Sequence, residues 1–204
     1  MALSSRLRLL IKAFVFAAAL VPLALLIWNF FNDSLSANPL SDITNETGIW
    51  TLRFLVMTIT VTPLRRVTGL AEISRYRRML GLFAFFYGSL HFTTYIWFDK
   101  FFDWNEIVLD IPKRPFITAG FLAFSLMIPL ALTSTKNMIR RMGGRKWNLL
   151  HRLVYVSAIC GAVHYLWLVK VITAPQILYA SAVCLLLAYR AVYSLRLPRR
   201  KPAK

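Results

Sequence analysis

Apolar residues run along this chain in six long stretches, at about 9–31, 48–64, 80–98, 116–133, 148–169 and 175–193, separated by short polar connections. A bilayer core takes roughly 20 apolar residues per helix and tolerates about 17. Each stretch meets that length, so the pattern predicts an all-α integral membrane fold with six transmembrane helices. The third stretch is rich in Phe and Tyr, as a strand would be, but its length and its neighbours argue for a helix. No internal repeat is evident and no domain-sized polar segment remains, so residues 1–204 read as one membrane domain. The run from Ala13 to Phe31, behind Arg6, Arg8 and Lys12, resembles a signal peptide. It is longer than a typical apolar signal region and no small-x-small cleavage site follows, so it is expected to remain as the first span.

Composition agrees with the pattern. Of the 204 residues 58% are hydrophobic, and the mean hydropathy is +0.57. The charge of +17, from 25 basic and 8 acidic residues, could suggest nucleic acid. A nucleic-acid-binding domain would not be this apolar, and the charges alternate by connection, as topogenic charges do. Arg6 and Arg8 precede the first span. The first loop holds Asp33, Asp42 and Glu46 with no Lys or Arg, and the second holds Arg65, Arg66, Arg75, Arg77 and Arg78. The third carries Asp99, Asp103, Glu106 and Asp110 against Lys100, Lys113 and Arg114. The fourth carries Lys136, Arg140, Arg141, Arg145 and Lys146, the fifth Lys170 alone, and the tail Arg196, Arg199, Arg200, Lys201 and Lys204. Positive charge stays inside, so both termini and loops two and four are expected in the cytoplasm. Cys160 and Cys184 both lie in apolar stretches, without zinc spacing, and read as small hydrophobes.

The chain has three histidines, and all fall in apolar segments: His91 on the third, His151 and His164 on the fifth. An ionisable group in hydrocarbon is costly and tends to be paired, ligated or functional. Opposing histidines on two membrane helices are what a buried bis-histidine haem requires. Both helices run from the cytoplasm outwards, His91 roughly 16 Å and His164 roughly 24 Å from their expected starts. The expected iron-binding pair is His91 with His164, between helices three and five in the outer part of the membrane. Ala84 and Gly88 precede His91 on its own face, as Ser157, Cys160 and Gly161 precede His164. Such small stripes make room for a porphyrin or let bare helices pack closely. His151 lies about 20 Å from His164 along an ideal helix, but about 140° away in phase. It reads equally as an inner haem ligand or as an interfacial or quinone-contacting residue. Nearly in phase with His91 and fourteen residues before it stands Arg77, not a second histidine.

Seven blocks then carry a resemblance: Thr62-Pro63-Leu64-Arg65, Arg77-Arg78-Met79-Leu80-Gly81-Leu82, Leu90-His91-Phe92-Thr93-Thr94-Tyr95, Arg114-Pro115, Leu132-Thr133-Ser134-Thr135, Trp147-Asn148-Leu149-Leu150-His151-Arg152 and His164-Tyr165-Leu166-Trp167-Leu168-Val169-Lys170. In this order they resemble the haem-binding membrane subunits of the bacterial periplasmic methionine-sulfoxide reductase system. The layout is similar, more broadly, to the ferric-reductase-like transmembrane domain shared with NADPH oxidases. That family holds two haems on two histidines from each of two helices. His91, His151 and His164 match three of those positions and Arg77 occupies the fourth.

The resemblance implies a haem b electron conduit in the bacterial inner membrane, with one haem or two and an FMN that no residue here locates. Electrons would enter on the cytoplasmic side, from the quinol pool or a cytoplasmic flavin reductase, and leave to a periplasmic molybdopterin-containing subunit. The catalytic site for methionine sulfoxide would lie on that partner, and no soluble flavin or nicotinamide domain is expected in this chain. The acidic third loop with Trp104 is the expected docking surface. Rival readings are a six-helix b-type cytochrome of another quinol-oxidising or ferric-reductase system, and a haem-free transporter or scaffold. No Asp or Glu sits at the centre of a span, which weighs against proton-coupled transport.

Overall fold

The computed structural model describes residues 4–196, and every regular element among them is helical. Helix α1 (Ser5–Phe31) starts where the Ser4 side chain accepts the Leu7 N–H at 3.2 Å. Helix α2 (Pro39–Thr68) starts well before the expected residue 48. Its start is written in the sequence, since Asn38 caps the Ser41 N–H at 3.2 Å, Pro39 takes the first turn and Asp42 faces the positive end of the helix dipole. It ends at Gly69, whose φ of 72° is the left-handed cap that glycine adopts without strain. A 3-10 turn (Ala71–Arg75) leads into α3 (Arg77–Thr94), which continues as a π-helical turn over Tyr95–Asp99.

A short α4 (Trp104–Lys113) precedes α5 (Pro115–Leu132), and α6 (Lys136–Met142) and α7 (Gly144–Leu150) fill the basic fourth connection. Helices α8 (Leu153–Trp167) and α9 (Ala174–Arg196) complete the chain. Six segments are long and apolar enough to cross a membrane: Ser5–Phe31, Pro39–Thr68, Ala71–Asp99, Pro115–Leu132, Gly144–Trp167 and Ala174–Leu195. Of the basic tail, Arg199, Arg200, Lys201 and Lys204 lie outside the described residues.

The main packing pairs are α2 with α3 and α5 with α8, joined by contacts of α3 with α5 and α2 with α8. The two histidine-bearing helices α3 and α8 thus sit diagonally across a four-helix core. Phe54 of α2 stacks on Phe83 and Tyr87 of α3, with ring centroids 5.5 and 5.4 Å apart. Much of the small-residue stripe goes into this packing. The fully buried Ser157 hydroxyl donates to the Ala123 carbonyl at 2.9 Å. A Cβ on Gly161 would meet Leu52 and Leu55, and one on Gly88 would meet Met127, Phe124 and Thr51. At these positions the small residues serve close helix approach.

Helix α1 packs only lightly on α2 but is tied to α3. Pro22 removes a backbone donor from α1 and disturbs the turn around it. At that turn the buried Tyr87 hydroxyl donates to the Ala19 carbonyl at 2.9 Å and accepts the Leu23 N–H at 3.2 Å. Arg8 of α1 also pairs with Glu72 in the α2–α3 connection at 3.3 Å, so both lie at one end of the bundle, with the basic loops.

The other end is acidic in sequence, and some of its acids are paired within the protein. Lys100, only 6% exposed, donates to Glu106 at 2.5 Å and lies 3.4 Å from Asp110. Arg114 grips Asp110 through two hydrogen bonds, the Nε one at 2.7 Å, and the Tyr95 hydroxyl donates to the same carboxylate at 2.9 Å. Asp103 caps α4 by accepting the Glu106 N–H at 2.9 Å. Of the acids in the expected docking loop, Asp110 is thus held in an ion network, while Asp99, Asp103 and Glu106 stay exposed. What protrudes beside it is aromatic, namely Trp97, Phe101, Phe102 and Trp104.

The Arg114 hydrogen bonds hold the Asp110 carboxyl down to about 2, against an ordinary aspartate near about 3.9. Its stabilisation is therefore complete above about pH 4 and is lost as pH falls through about 2. Thermal melts of the purified protein are expected to be flat from neutrality to about pH 4 and to fall below it. Asp110→Asn should lower the plateau and remove that part of the acid limb; an unchanged limb would overturn the assignment.

Candidate functional site: facing histidines and a basic cavity

His91 of α3 and His164 of α8 face each other near the acidic end, with ring centroids 5.9 Å apart and planes turned by 70°. Each ring is fixed from behind. His91 Nδ1 lies 2.9 Å from the Thr44 carbonyl of α2, and His164 Nδ1 lies 2.7 Å from the Phe116 carbonyl of α5. A carbonyl only accepts, so both Nδ1 atoms carry the proton and both Nε2 lone pairs are left for a ligand. A backbone partner of this kind is what sets the tautomer and orientation of metal-bound imidazoles.

Two glycines make the rings fit. A Cβ on Gly48 would stand 3.0 Å from His91 Cε1 and Nδ1, and one on Gly120 would stand 2.8 Å from His164 Nδ1. Any larger residue would push the ring off its carbonyl. Thr94, three residues after His91, donates to the His91 carbonyl at 2.7 Å and so serves its own helix.

The geometry suits one kind of metal centre. Among the described residues no group of three or more His, Cys, Asp or Glu side chains converges. Two imidazoles are too few for a bare ion, but they are the axial complement of a macrocycle that brings four donors of its own.

His151 stands at the basic end. It is not within a continuous helix: the turn at His151-Arg152 separates α7 from α8. Depth and phase counted along one ideal helix from His164 therefore do not apply. Its Nδ1 lies 3.0 Å from the Trp147 carbonyl, its ring stacks on the Trp147 indole at 3.7 Å, and its Nε2 is 3.5 Å from the Ser134 hydroxyl. His151 lines a cavity of about 380 Å³ together with Arg65, Arg77, Arg78 and Arg190. The structure thus brings His91 to His164 and His151 to Arg77, as two separate stations.

Sequence reasoning missed Thr44, Phe116, Gly48 and Gly120. Thr44 was counted within the first loop because the span was started at residue 48, although the Asn38-Pro39 cap marks the true start. Gly120, a lone glycine inside an apolar helical run, is the signal for a close approach at that point.

The sequence profile of the family described as Ferric reductase like transmembrane component matches residues 16–162. The chain is 52% identical over 187 residues to a protein of Herminiimonas arsenicoxydans named protein-methionine-sulfoxide reductase heme-binding subunit MsrQ, covering 91% of this chain and 86% of that one. Proteins of the same name from Azospira oryzae and Xanthomonas campestris are 51% and 46% identical, over 92% and 88% of this chain and 81% and 84% of theirs.

Proposed function

The chain belongs to the ferric-reductase-like transmembrane family, and on that premise we propose that it is the haem-binding, electron-transferring membrane subunit of a protein-methionine-sulfoxide reductase. It is a multi-pass membrane protein. The observation that carries the reading is the facing pair His91 and His164, each with Nδ1 bonded to a carbonyl, which leaves Nε2 free to bind a ligand. These two residues would hold a haem b between α3 and α8. Such a group supplies one-electron chemistry with both axial positions closed.

The protein's own residues do the rest. Thr44 and Phe116 keep the imidazoles neutral and oriented, Gly48 and Gly120 give the rings their places, and the apolar core around Tyr87 and Met127 excludes water. In the bacterial inner membrane the basic end faces the cytoplasm, with both termini, and the histidine pair faces the periplasm. Electrons would come from quinol or a cytoplasmic flavin reductase and leave to a periplasmic molybdopterin-containing subunit, which carries the catalytic site.

At the basic end, His151 and Arg77 would serve a second cofactor. The guanidinium groups of the cavity suit carboxylates or a phosphate, as offered by the propionates of an inner haem or by FMN. Haem content per polypeptide, measured on wild type and His151→Ala, separates the cases. About two haems falling to about one makes His151 an inner ligand. One haem in both confines the iron to His91 and His164, and no haem in either overturns the whole reading.

A further inference from the structure

We propose that the crevice between α1 and α2 at the acidic end is the binding site of a lipid-soluble hydroquinone, the donor to the His91–His164 station. The inference rests on the reading above for its electron acceptor and adds the place and the residues where that donor docks.

The crevice has a volume of about 510 Å³ and lies between two helices that barely touch, so it opens towards lipid. Its α1 wall is apolar, with Val21, Pro22 and Leu25, and suits an isoprenoid tail or a substituted ring. Its α2 wall is polar and carries Glu46, Trp50 and Arg53. Arg53 lies on a membrane span, where a charge is costly and marks a functional position. Its Nε donates to the Tyr179 hydroxyl at 2.9 Å and its guanidinium lies 4.5 Å above the Trp50 ring. Among the described residues no carboxylate lies within ion-pair distance, so both terminal amino groups remain for a ligand.

This mixture selects the occupant. A guanidinium donates to a quinone or phenolic oxygen, and a carboxylate accepts a phenolic proton. An anionic lipid headgroup would meet Glu46 and Asp42 as repelling charges. The position also fits the donor's task. Helix α2 presents Glu46, Trp50 and Arg53 on one side, and on the other Thr44 and Gly48, which bond and cradle His91. One helix thickness, about 10 Å, separates the ring site from the imidazole.

Oxidation of the hydroquinone to the quinone releases two electrons and two protons. The two electrons would leave one at a time towards the haem that His91 and His164 would hold, so one hydroquinone would serve two one-electron transfers. Glu46 accepts the phenolic protons in turn and passes them to the aqueous phase at the acidic end.

The full-length protein in lipid nanodiscs is photolabelled with an azidoquinone, and the labelled peptides are mapped. Label is expected on α1 and α2, and decylubiquinol should compete it away. Glu46→Gln and Arg53→Gln should each weaken binding of the fluorescent quinol-site inhibitor heptylhydroxyquinoline N-oxide at least tenfold, with an unchanged Soret band. Label around His151, unchanged inhibitor binding in both variants, or displacement by phosphatidylglycerol in place of quinol would overturn the proposal. A Soret band with label elsewhere leaves the haem reading standing and removes the site. Label on α1 and α2 without a Soret band does the reverse.

Discussion

His91→Ala and His164→Ala should each abolish the low-spin signal of the haem that this pair would hold. One imidazole cannot fill two axial positions, so removing either partner exposes the iron to water or loses the haem. The two variants should behave alike although the residues lie on different helices, because the rings face one another at 5.9 Å. Arg77→Ala is the internal control. Arg77 lines the cavity at the opposite end with His151, so its loss should leave that low-spin spectrum intact. Visible and electron paramagnetic resonance spectra on equal amounts of protein decide the matter. Full haem content and low-spin signal in His164→Ala, or loss of this haem's signal in Arg77→Ala, would sink the ligand assignment.

A second large effect is expected from a single methyl group. Gly120→Ala would place a Cβ 2.8 Å from His164 Nδ1, closer than real Cβ contacts come. The neighbour is a ring pinned to the Phe116 carbonyl at 2.7 Å, so it can yield only by breaking that bond. Loss of the backbone partner of a metal-bound histidine typically costs about 10–100-fold in metal affinity, and haem retention through size-exclusion chromatography should fall accordingly. Gly48→Ala, at 3.0 Å from the His91 ring, should act in the same direction and more mildly. Gly88→Ala gives the contrast, since its nearest neighbour is the flexible methyl end of Met127 at 3.0 Å. It crowds the same core and should keep its haem. If Gly88→Ala lost haem as readily as Gly120→Ala, general helix crowding would account for both.

How much of this was legible in the sequence depends on what carried the signal. The six membrane-spanning stretches follow from apolar run length alone, because hydrocarbon thickness sets that length whatever the fold. The pairing of His91 with His164 followed from cost, since histidines in a membrane span need a reason to be there. Estimates of their depth differed because helices were counted from assumed starts. Helix α3 begins at Arg77, three residues before the assumed start, and the count to His164 crossed the turn that sets α7 off from α8. The backbone carbonyls of Thr44 and Phe116 carry no side-chain signature and become visible only once α2 and α5 are placed. Ser157 and Gly161 were read as room for a porphyrin or for a helix, and the neighbours they meet, Ala123, Leu52 and Leu55, are known only from packing.

The contact of Tyr87 with the Pro22 turn bears on how the protein is made. A span entering the bilayer must satisfy its own backbone, and hydrocarbon offers nothing in exchange. The first span cannot fully do so, because proline removes a donor and disturbs the turn that Ala19 and Leu23 would close. Its missing partner is a hydroxyl on the third span, synthesised more than sixty residues later. Until that span arrives the first lacks this partner, so the expected consequence is an order of assembly, in which the first helix settles fully only once the third has docked on it.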